Sequence, residues 1–408
     1  MHSIVSSDIL PLDIVIRIPD PIRFMAIVKK YGLAADGKTP IAEDMFYQIA
    51  KDMFIDDDFR IPSQQLIDLT EGRGVVFSPG GSSATTLITA AKLGMKAEFI
   101  GITGDDRLGC MVRQSFRDAG ILLLPERLPA HLTPQTSVSF SFIHTDTEGK
   151  EHTSYAVYRG NAARILTPEI FERDIIDRAD GVFWQASMLD KFHPDISNRH
   201  ILRLRWELGK KLLLAPHTSE SSARASTRYM QYLLPRADGV FGSIKEWSWT
   251  LFPDVKTEDI RPEPVLNALQ NVFKAGFLAR AGRLADRDHV GFISHGKEGA
   301  YAITPDGIDH VPAGVVAEIE SAGGAGDILA GGAKYAYYKA GLDPVDALCV
   351  GVELAAAKIE TTINPRLDNP HQELQRRNPE LYACLMSGGD TRRFMDRSSF
   401  SRLAVASA

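Results

Sequence analysis

Short apolar runs bounded by turn residues alternate with stretches of helical spacing along most of this chain. That alternation narrows the fold more than any other feature. Val75-Val76-Phe77, Ala97 to Ile100, Val182-Phe183-Trp184, Lys211 to Leu214, Gly239-Val240-Phe241 and Val290 to Ile293 read as buried strands. Between them the spacing predicts helices over Ser82 to Leu93, Arg107 to Ala119, Ile196 to Leu208, Ser221 to Leu234 and Pro264 to Ala281. Gly94 and Gly120 stand where a glycine closes a helix. Strands that feed helices in this order build a parallel sheet covered on both faces. Upstream, Leu10 to Ile18 reads as a strand containing Asp13, and Pro21 to Tyr31 and Pro40 to Met53 read as helices, the second followed by an acidic loop at Asp56-Asp57-Asp58.

The rhythm breaks over residues 136–158. In Ser137-Val138-Ser139-Phe140-Ser141-Phe142 the apolar residues fall at every second position, and Ser154 to Tyr158 is a second β-prone run. Turn residues Asp146 to Gly149 separate them, so a hairpin is expected, and an inserted hairpin in an αβ chain commonly forms a lid. The 408 residues are 44% hydrophobic and 24% charged with a net charge of -6, and no long basic block argues for nucleic acid. The cysteines Cys110, Cys349 and Cys384 are too far apart for a metal or disulfide framework. No apolar run reaches membrane-spanning length and no secretory signal pattern opens the chain, so a cytoplasmic protein is expected.

The segment Glu320-Ser321-Ala322-Gly323-Gly324-Ala325-Gly326-Asp327 leads into an apolar helix. Glycines let backbone N–H groups close around an anion, and a helix start adds unpaired N–H groups and partial positive charge. A carboxylate beside such a cradle suits phosphoryl transfer to a hydroxyl, although a plain glycine turn has the same composition. Gly80-Gly81-Ser82 follows a short strand and opens a helix, where a ligand could approach the backbone. Ser294-His295-Gly296-Lys297-Glu298-Gly299 joins two strands and could admit a nucleotide, or be a bare turn. His295 and His217 have no catalytic partner at a telling spacing and are read as surface or loop histidines. Gly32 to Thr39 spells a P-loop, but helical spacing precedes it where a buried strand is required. It is read instead as an exposed turn between two helices, with Lys38 on the surface.

Taken in order, these pieces resemble the ribokinase-like PfkB family of sugar and nucleoside kinases. An early Asp in a strand is followed by Gly-Gly at a helix start. Then comes Ala-x-Leu-Gly-x-Lys-Ala-x-Phe-Ile-Gly-x-x-Gly-Asp-Asp-x-x-Gly at Ala91 to Gly109, then the hairpin, the Ser-x-Gly-x-x-Gly turn and Gly-Ala-Gly-Asp. Lys29 to Leu33 and Ala355 to Arg366 resemble the adenosine-kinase branch, and the similarity spans residues 8 to 366. The resemblance implies an α/β fold: a ribokinase-like αβα sandwich with a mainly parallel central sheet and a small β lid. The kinase domain would cover residues 1–366, and 367–408 would be a docked helical extension with a fraying tail.

The same resemblance implies ATP-dependent transfer of the γ-phosphoryl group to a hydroxyl of a sugar or nucleoside. Asp327 matches the general base, and Gly324, Ala325 and Gly326 the anion hole. Asp13 matches the carboxylate that grips acceptor hydroxyls, with Gly80, Gly81, Ser82 and Thr85 completing the acceptor side. Ser294, Gly296 and Gly299 match the nucleotide-side turn, and Glu246 the residue that organises Mg2+ through water. A monovalent cation is a further cofactor the family admits, and a lid of this kind can serve as a homodimer interface. Ser321, Ala322 and Ser243 depart from the family's Asp, Thr and Asn, and Thr85 stands where many members have Asn. Glu320 is placed to compensate for the first pair. These departures keep a second reading open, a binding protein that senses nucleotide or sugar without turnover.

Overall fold

The computed structural model describes residues 1, 3–7, 11–34, 37–52, 75–124, 134–146, 148, 150–160, 179–186, 209–280, 289–362 and 364–387. The helix expected over Ile196 to Leu208, the acidic loop at 56–58 and the tail beyond residue 387 lie outside them.

The αβ rhythm resolves into a nine-stranded sheet. Its strands are β1 (Ser3–Ser7), β5 (Lys96–Ile100), β6 (Leu122–Leu124), β9 (Gly181–Gln185), β10 (Lys211–Ala215), β11 (Gly239–Ser243), β12 (Val290–Ser294), β13 (Ala300–Ile303) and β14 (Ile308–Val311), in the order β14-β13-β12-β11-β10-β9-β1-β5-β6. All neighbours are parallel except β12–β13 and β13–β14. Each central strand feeds two cores, because successive side chains point to opposite faces. Phe183, Leu213, Phe241 and Phe292 enter one core with α3 (Ser82–Lys92), α8 (Ala325–Lys334) and α9 (Pro344–Thr361). Val182, Trp184, Leu212, Leu214, Val240 and Ile293 enter the other with α5 (Glu220–Leu233), α6 (Ile244–Leu251) and α7 (Pro262–Arg280). Helices on both faces make the expected αβα sandwich. Beyond it, α10 (Pro370–Arg377) and α11 (Pro379–Ser387) send Leu374, Leu381 and Leu385 into the first core.

The lid is larger than a hairpin. Strands β7 (Ser137–Thr145) and β8 (Glu151–Tyr158) form the antiparallel pair that the alternation predicts. Three more strands join them, β2 (Pro11–Arg17), β3 (Gly37–Pro40) and β4 (Val75–Pro79), in the order β3-β8-β7-β2-β4. The strand carrying Asp13 therefore belongs to the lid, while the short β1 ahead of it sits in the main sheet. The exposed turn expected at Gly32 to Thr39 also needs correction. Gly32 caps α1 (Pro21–Tyr31) in a left-handed conformation, φ 60°, and Gly37–Pro40 is an edge strand of the lid paired with β8. The described residues there form no strand–loop–helix of P-loop type.

Register then sorts the lid residues. Asp13 pairs with Ser139 and Ser78, and Ser141 with Tyr155, which in turn pairs with Lys38. One face thus carries Asp13, Arg17, Ser139, Ser141, Glu151 and Tyr155. The opposite face carries Leu12, Ile14, Ile16, Val138, Phe140 and Phe142, all buried. It is covered by α1 and by α2 (Glu43–Asp52): Phe24 lies against His144, and Phe46 against Phe140 and Tyr158 with ring centroids 5.6 and 5.2 Å apart.

Candidate active site

The polar face of the lid meets the starts of α3 and α8. Gly81 caps α3 with φ 93°, and a Cβ at Gly80 would overlap the Asp13 carboxylate, so the glycine pair lets β2 lie directly against this turn. Ser82, in the first turn of α3, donates its hydroxyl to Oδ1 of Asp327, in the first turn of α8. Thr86 donates to the Asp327 carbonyl at 3.3 Å. Thr85 is buried, and its carbonyl accepts from Thr89.

Gly324 caps α8 in the left-handed region, φ 82°. A Cβ there would overlap the Pro365 backbone, which explains the glycine. Ala325 donates its N–H to the Ala322 carbonyl at 3.2 Å, and Asp327 donates to Gly324 at 3.1 Å. The N–H groups of Gly324 and Gly326 have no backbone acceptor among the described residues. A Cβ on Gly326 would meet only Ser294 Oγ, at 3.9 Å, so its inner side opens into the cleft. Of the expected cradle, these two glycines carry the donors an anion could claim, whereas the Ala325 N–H is spent inside the turn.

Asp13 is enclosed. Burial pushes its carboxyl up to about 7, against the pull of Lys38 and Arg366, with Asp327 adding to the rise and a hydrogen bond from Ser139 opposing it. Arg366 is held by its Nε donating to Ser78 Oγ at 2.8 Å, and burial lowers its guanidinium to about 10 while Asp13 supports the charge. Tyr155 has its hydroxyl pushed above the usual range by burial, then by Asp13, Glu151 and Asp327. Lys38 reaches from the lid edge to Thr218 Oγ1, 3.4 Å away, and bears on both Asp13 and Glu246. Its side chain is exposed, as the sequence suggested, but it lies on the lid edge strand and faces these carboxylates rather than standing on a turn between two helices.

Ser243 and Glu246 form a capping box at the start of α6. Ser243 Oγ accepts the Glu246 N–H at 3.2 Å, and Glu246 Oε2 accepts the Ser243 N–H at 2.8 Å. Ser is a strong cap, so the departure from Asn preserves the turn. Burial raises the Glu246 carboxyl to about 7, its bonds to Ser243 oppose this, and Asp327 adds to it. Ser294 ends β12 beside Gly326, and the residues after it form a short turn closed by His295 N–H to Gly299 O at 2.7 Å. Gly296 has φ 58° with open space around it, and Gly299 has φ 102°. His295 stacks loosely on Tyr301, and His217 accepts the Ser219 N–H at 3.0 Å, so both serve local loop structure.

The geometry brings Asp13, Gly80, Gly81, Ser82, Gly324, Gly326, Asp327, Glu246 and Ser294 around one cleft. Tyr155, Arg366 and Lys38 were missed. Tyr155 shares the alternation phase that puts Ser139 and Ser141 on the polar face, a readable signal; Arg366 and Lys38 arrive through tertiary folding alone. No group of three or more His, Cys, Asp or Glu among the described residues could hold a metal by itself. Mg2+ bound mainly by substrate phosphates needs only one or two carboxylates, and Glu246 and Asp327 fit that need.

Two solved structures share the fold. A probable sugar kinase from Rhizobium etli superposes with a TM-score of 0.70 at 18% identity, over 92% of this chain and 98% of its own. Adenosine kinase from Sinorhizobium meliloti gives 0.69 at 18% identity, over 95% and 99%. The architecture is that of the ribokinase-fold kinases. The chain also matches the sequence model of the pfkB family of carbohydrate kinases over residues 56–363, and it belongs to that family. Among curated relatives, a 5-dehydro-2-deoxygluconokinase of Bacillus anthracis is 25% identical over 283 residues, 67% of this chain and 77% of the relative. Aminoimidazole riboside kinase of Salmonella typhimurium is 35% identical over 82 residues, 20% of this chain and 24% of its own. The protein is a phosphotransferase acting on an alcohol group of a small molecule, with ATP as co-substrate. Asp13 precedes the segment that the family sequence model covers. No helix among the described residues is long and apolar enough to cross a membrane.

Proposed function

We propose that Asp327 takes the proton from an acceptor hydroxyl as the γ-phosphoryl group of ATP arrives, and that Gly324 and Gly326 N–H groups hold the charge that develops on it. The observation that carries this reading is the placement of Asp327: it sits in the first turn of α8, beside two glycine N–H groups that have no backbone acceptor among the described residues, and within electrostatic reach of Asp13 and Glu246. A base must stand within hydrogen-bond reach of the hydroxyl it serves, and donors fixed before reaction stabilise the transition state most. Ser82 holds one carboxylate oxygen of Asp327 through its hydroxyl. Asp13 would accept acceptor hydroxyls, Gly80, Gly81 and Thr85 would shape that pocket, and Ser294, Gly296 and Gly299 would flank the nucleotide. Mg2+, held by the phosphates with Glu246 acting through water, would supply charge neutralisation.

The acceptor we favour is a sugar acid. Arg366 and Lys38 stand near Asp13 as a pair of cations suited to an acceptor carboxylate, and the Bacillus anthracis relative carries a gluconate-type acceptor in its name. The test is ATP consumption with a panel of sugar acids, neutral sugars and nucleosides. Turnover that needs a sugar acid supports the reading. Turnover with neutral sugars or nucleosides alone overturns the sugar-acid assignment, and ATP binding without turnover for any acceptor turns the chain into the nucleotide sensor.

A further inference from the structure

We propose that Lys358 is a built-in cation that holds the loop before Asp327 in shape, and that Arg17 and Glu151 tie the same loop to the lid sheet. Lys358 lies on α9 with no exposed surface and donates its ammonium to the Ser321 carbonyl at 2.6 Å. From the next residue, the Ile359 carbonyl accepts the Glu320 and Ser321 N–H groups at 2.7 and 3.3 Å. Ser321, itself fully buried, uses its hydroxyl to accept the Gly323 N–H at 3.1 Å. On the lid side, Arg17 pairs with Glu320 at 3.2 Å and donates to Thr145 at 3.1 Å. Glu151 accepts the Ala322 N–H at 3.3 Å. Glu320, Ser321 and Ala322 are thus held from outside the loop, by α9 and by the lid sheet, and Gly323 is held within it by Ser321.

A buried charge persists only where it is hydrogen-bonded or paired, and charge-assisted bonds are the strong ones. Burial lowers the Lys358 ammonium to about 8, Glu151 supports its charge and Arg17 opposes it. A free cation that steadied this loop would need the loop's carbonyl oxygens as ligands. The Ser321 carbonyl is already taken by an ammonium, and the Arg17 guanidinium bears on that same ammonium. These residues do not fit a bound K+ or Na+ there; they do its work covalently attached. The same anchors stand in for the Asp-Thr pair that Ser321 and Ala322 replace. Since Arg17 and Glu151 are lid residues, they tie the loop just ahead of the glycine donors to the lid sheet.

The positioning role is independent of the kinase reading; only its catalytic consequence rests on that reading. Lys358→Met preserves length and apolar packing while removing the charge. Hydrogen exchange at the amides of residues 321–326 should speed up in Lys358→Met, and in Glu151→Ala at Ala322 in particular, relative to the unaltered chain. Glu151 is only half-buried, so its variant tests the lid tie even if Lys358→Met does not fold. Unchanged exchange in a folded variant overturns the proposal whether or not an acceptor is ever found. With an acceptor in hand, Lys358→Ala should lose about tenfold in kcat or more at nearly constant KM, the signature of donors that act in the transition state. Ammonium or methylammonium should restore part of it. The unaltered enzyme should turn over equally in Na+ and K+ buffers. A strong requirement of the unaltered enzyme for K+ would overturn the built-in cation.

Discussion

The Ser82 hydroxyl donates to the Asp327 carboxylate and so joins the first turns of α3 and α8 at one oxygen. Two helix starts converge on one anion, and each adds partial positive charge there. Asp327→Asn should lower kcat on the order of 10²–10⁴-fold, as loss of a positioned base typically does, while ATP still binds. Steady-state turnover with a thermal-shift titration of ATP checks both halves; near-normal kcat removes Asp327 from the base role.

Gly324 and Gly326 should part company on substitution. Gly324→Ala forces a side chain into a left-handed residue and against Pro365, so the variant should unfold at lower temperature. Gly326→Ala meets only open space, so stability should hold while its methyl enters the place of the transferring group and turnover falls. Melting curves beside turnover separate the two. Full activity in Gly326→Ala would place the phosphoryl group elsewhere.

Asp13 gives the site a pH dependence with a definite sign. Its folded carboxyl is raised from 3.8 to about 7, so the folded chain binds that proton more tightly than the unfolded one. The stabilising contribution is complete below the unfolded value and is lost as pH rises through about 7. The fall in melting temperature from pH 5.5 to pH 8 should therefore be larger in the unaltered ligand-free protein than in Asp13→Asn. Glu246, raised to a similar value, acts in the same sense as Asp13, whereas the lowered Lys334 and Lys358 act in the opposite sense. Acceptor binding should run the other way, strengthening as Asp13 ionises. At pH 8 the Asn variant should bind acceptor weaker by roughly 1.5–3 kcal/mol, the range for a charged hydrogen bond. A slope that survives Asp13→Asn and Glu246→Gln together would exclude both groups.

Lys38→Ala should depress turnover with little change in melting temperature. The side chain is exposed, so its packing contribution is small, yet its ammonium bears on both Asp13 and Glu246 from the lid edge. The expected loss is about tenfold or more, carried by the acceptor KM if Lys38 meets the acceptor and by kcat if it meets the phosphoryl group. Unchanged kinetics would return Lys38 to the role of a surface lysine.

Lys334 is a liability in the core. It is fully buried two turns along α8, with Nζ 3.4 Å from the Phe183 ring centroid and 3.8 Å from that of Phe241, and it has no hydrogen-bond acceptor among the described residues. Burial drives its ammonium well below the usual lysine range, with Asp327 opposing. The unfolded chain then binds this proton more readily, so stability should rise with pH toward the ordinary lysine value. Lys334→Met should raise Tm at pH 7, with the gap narrowing near pH 10. A lower Tm for the variant would mean that the two rings hold a charged ammonium by more than its burial costs.

The strands from Gly181 to Ser294 were legible because each is a short apolar run closed by turn residues, and Phe183 flanked by Val182 and Trp184 announces a strand buried on both faces. Asp327 and its glycines were legible because backbone geometry restricts what such a segment can be. Sheet membership was not legible. Nothing local distinguishes Pro11–Arg17 from a main-sheet strand, since the choice is made by pairing with residues more than a hundred positions away. Ser3–Ser7 is too polar to stand out, and Gly37–Pro40 becomes a strand only because β8 offers an edge. Arg366, Lys38 and Lys358 are lone cations whose meaning comes from Asp13 and Ser321, which they reach across the fold.

The alternation in β7 also bears on how such a protein can diversify. Its even-numbered positions, Val138, Phe140 and Phe142, lock the lid to its covering helices, while its odd-numbered positions, Ser139 and Ser141, face the cleft. Selectivity and foldability are written on interleaved letters of one strand. A library that varies only residues 139, 141, 153, 155 and 157 would rewrite the chemistry of the cleft wall while leaving the hydrophobic text of the lid intact.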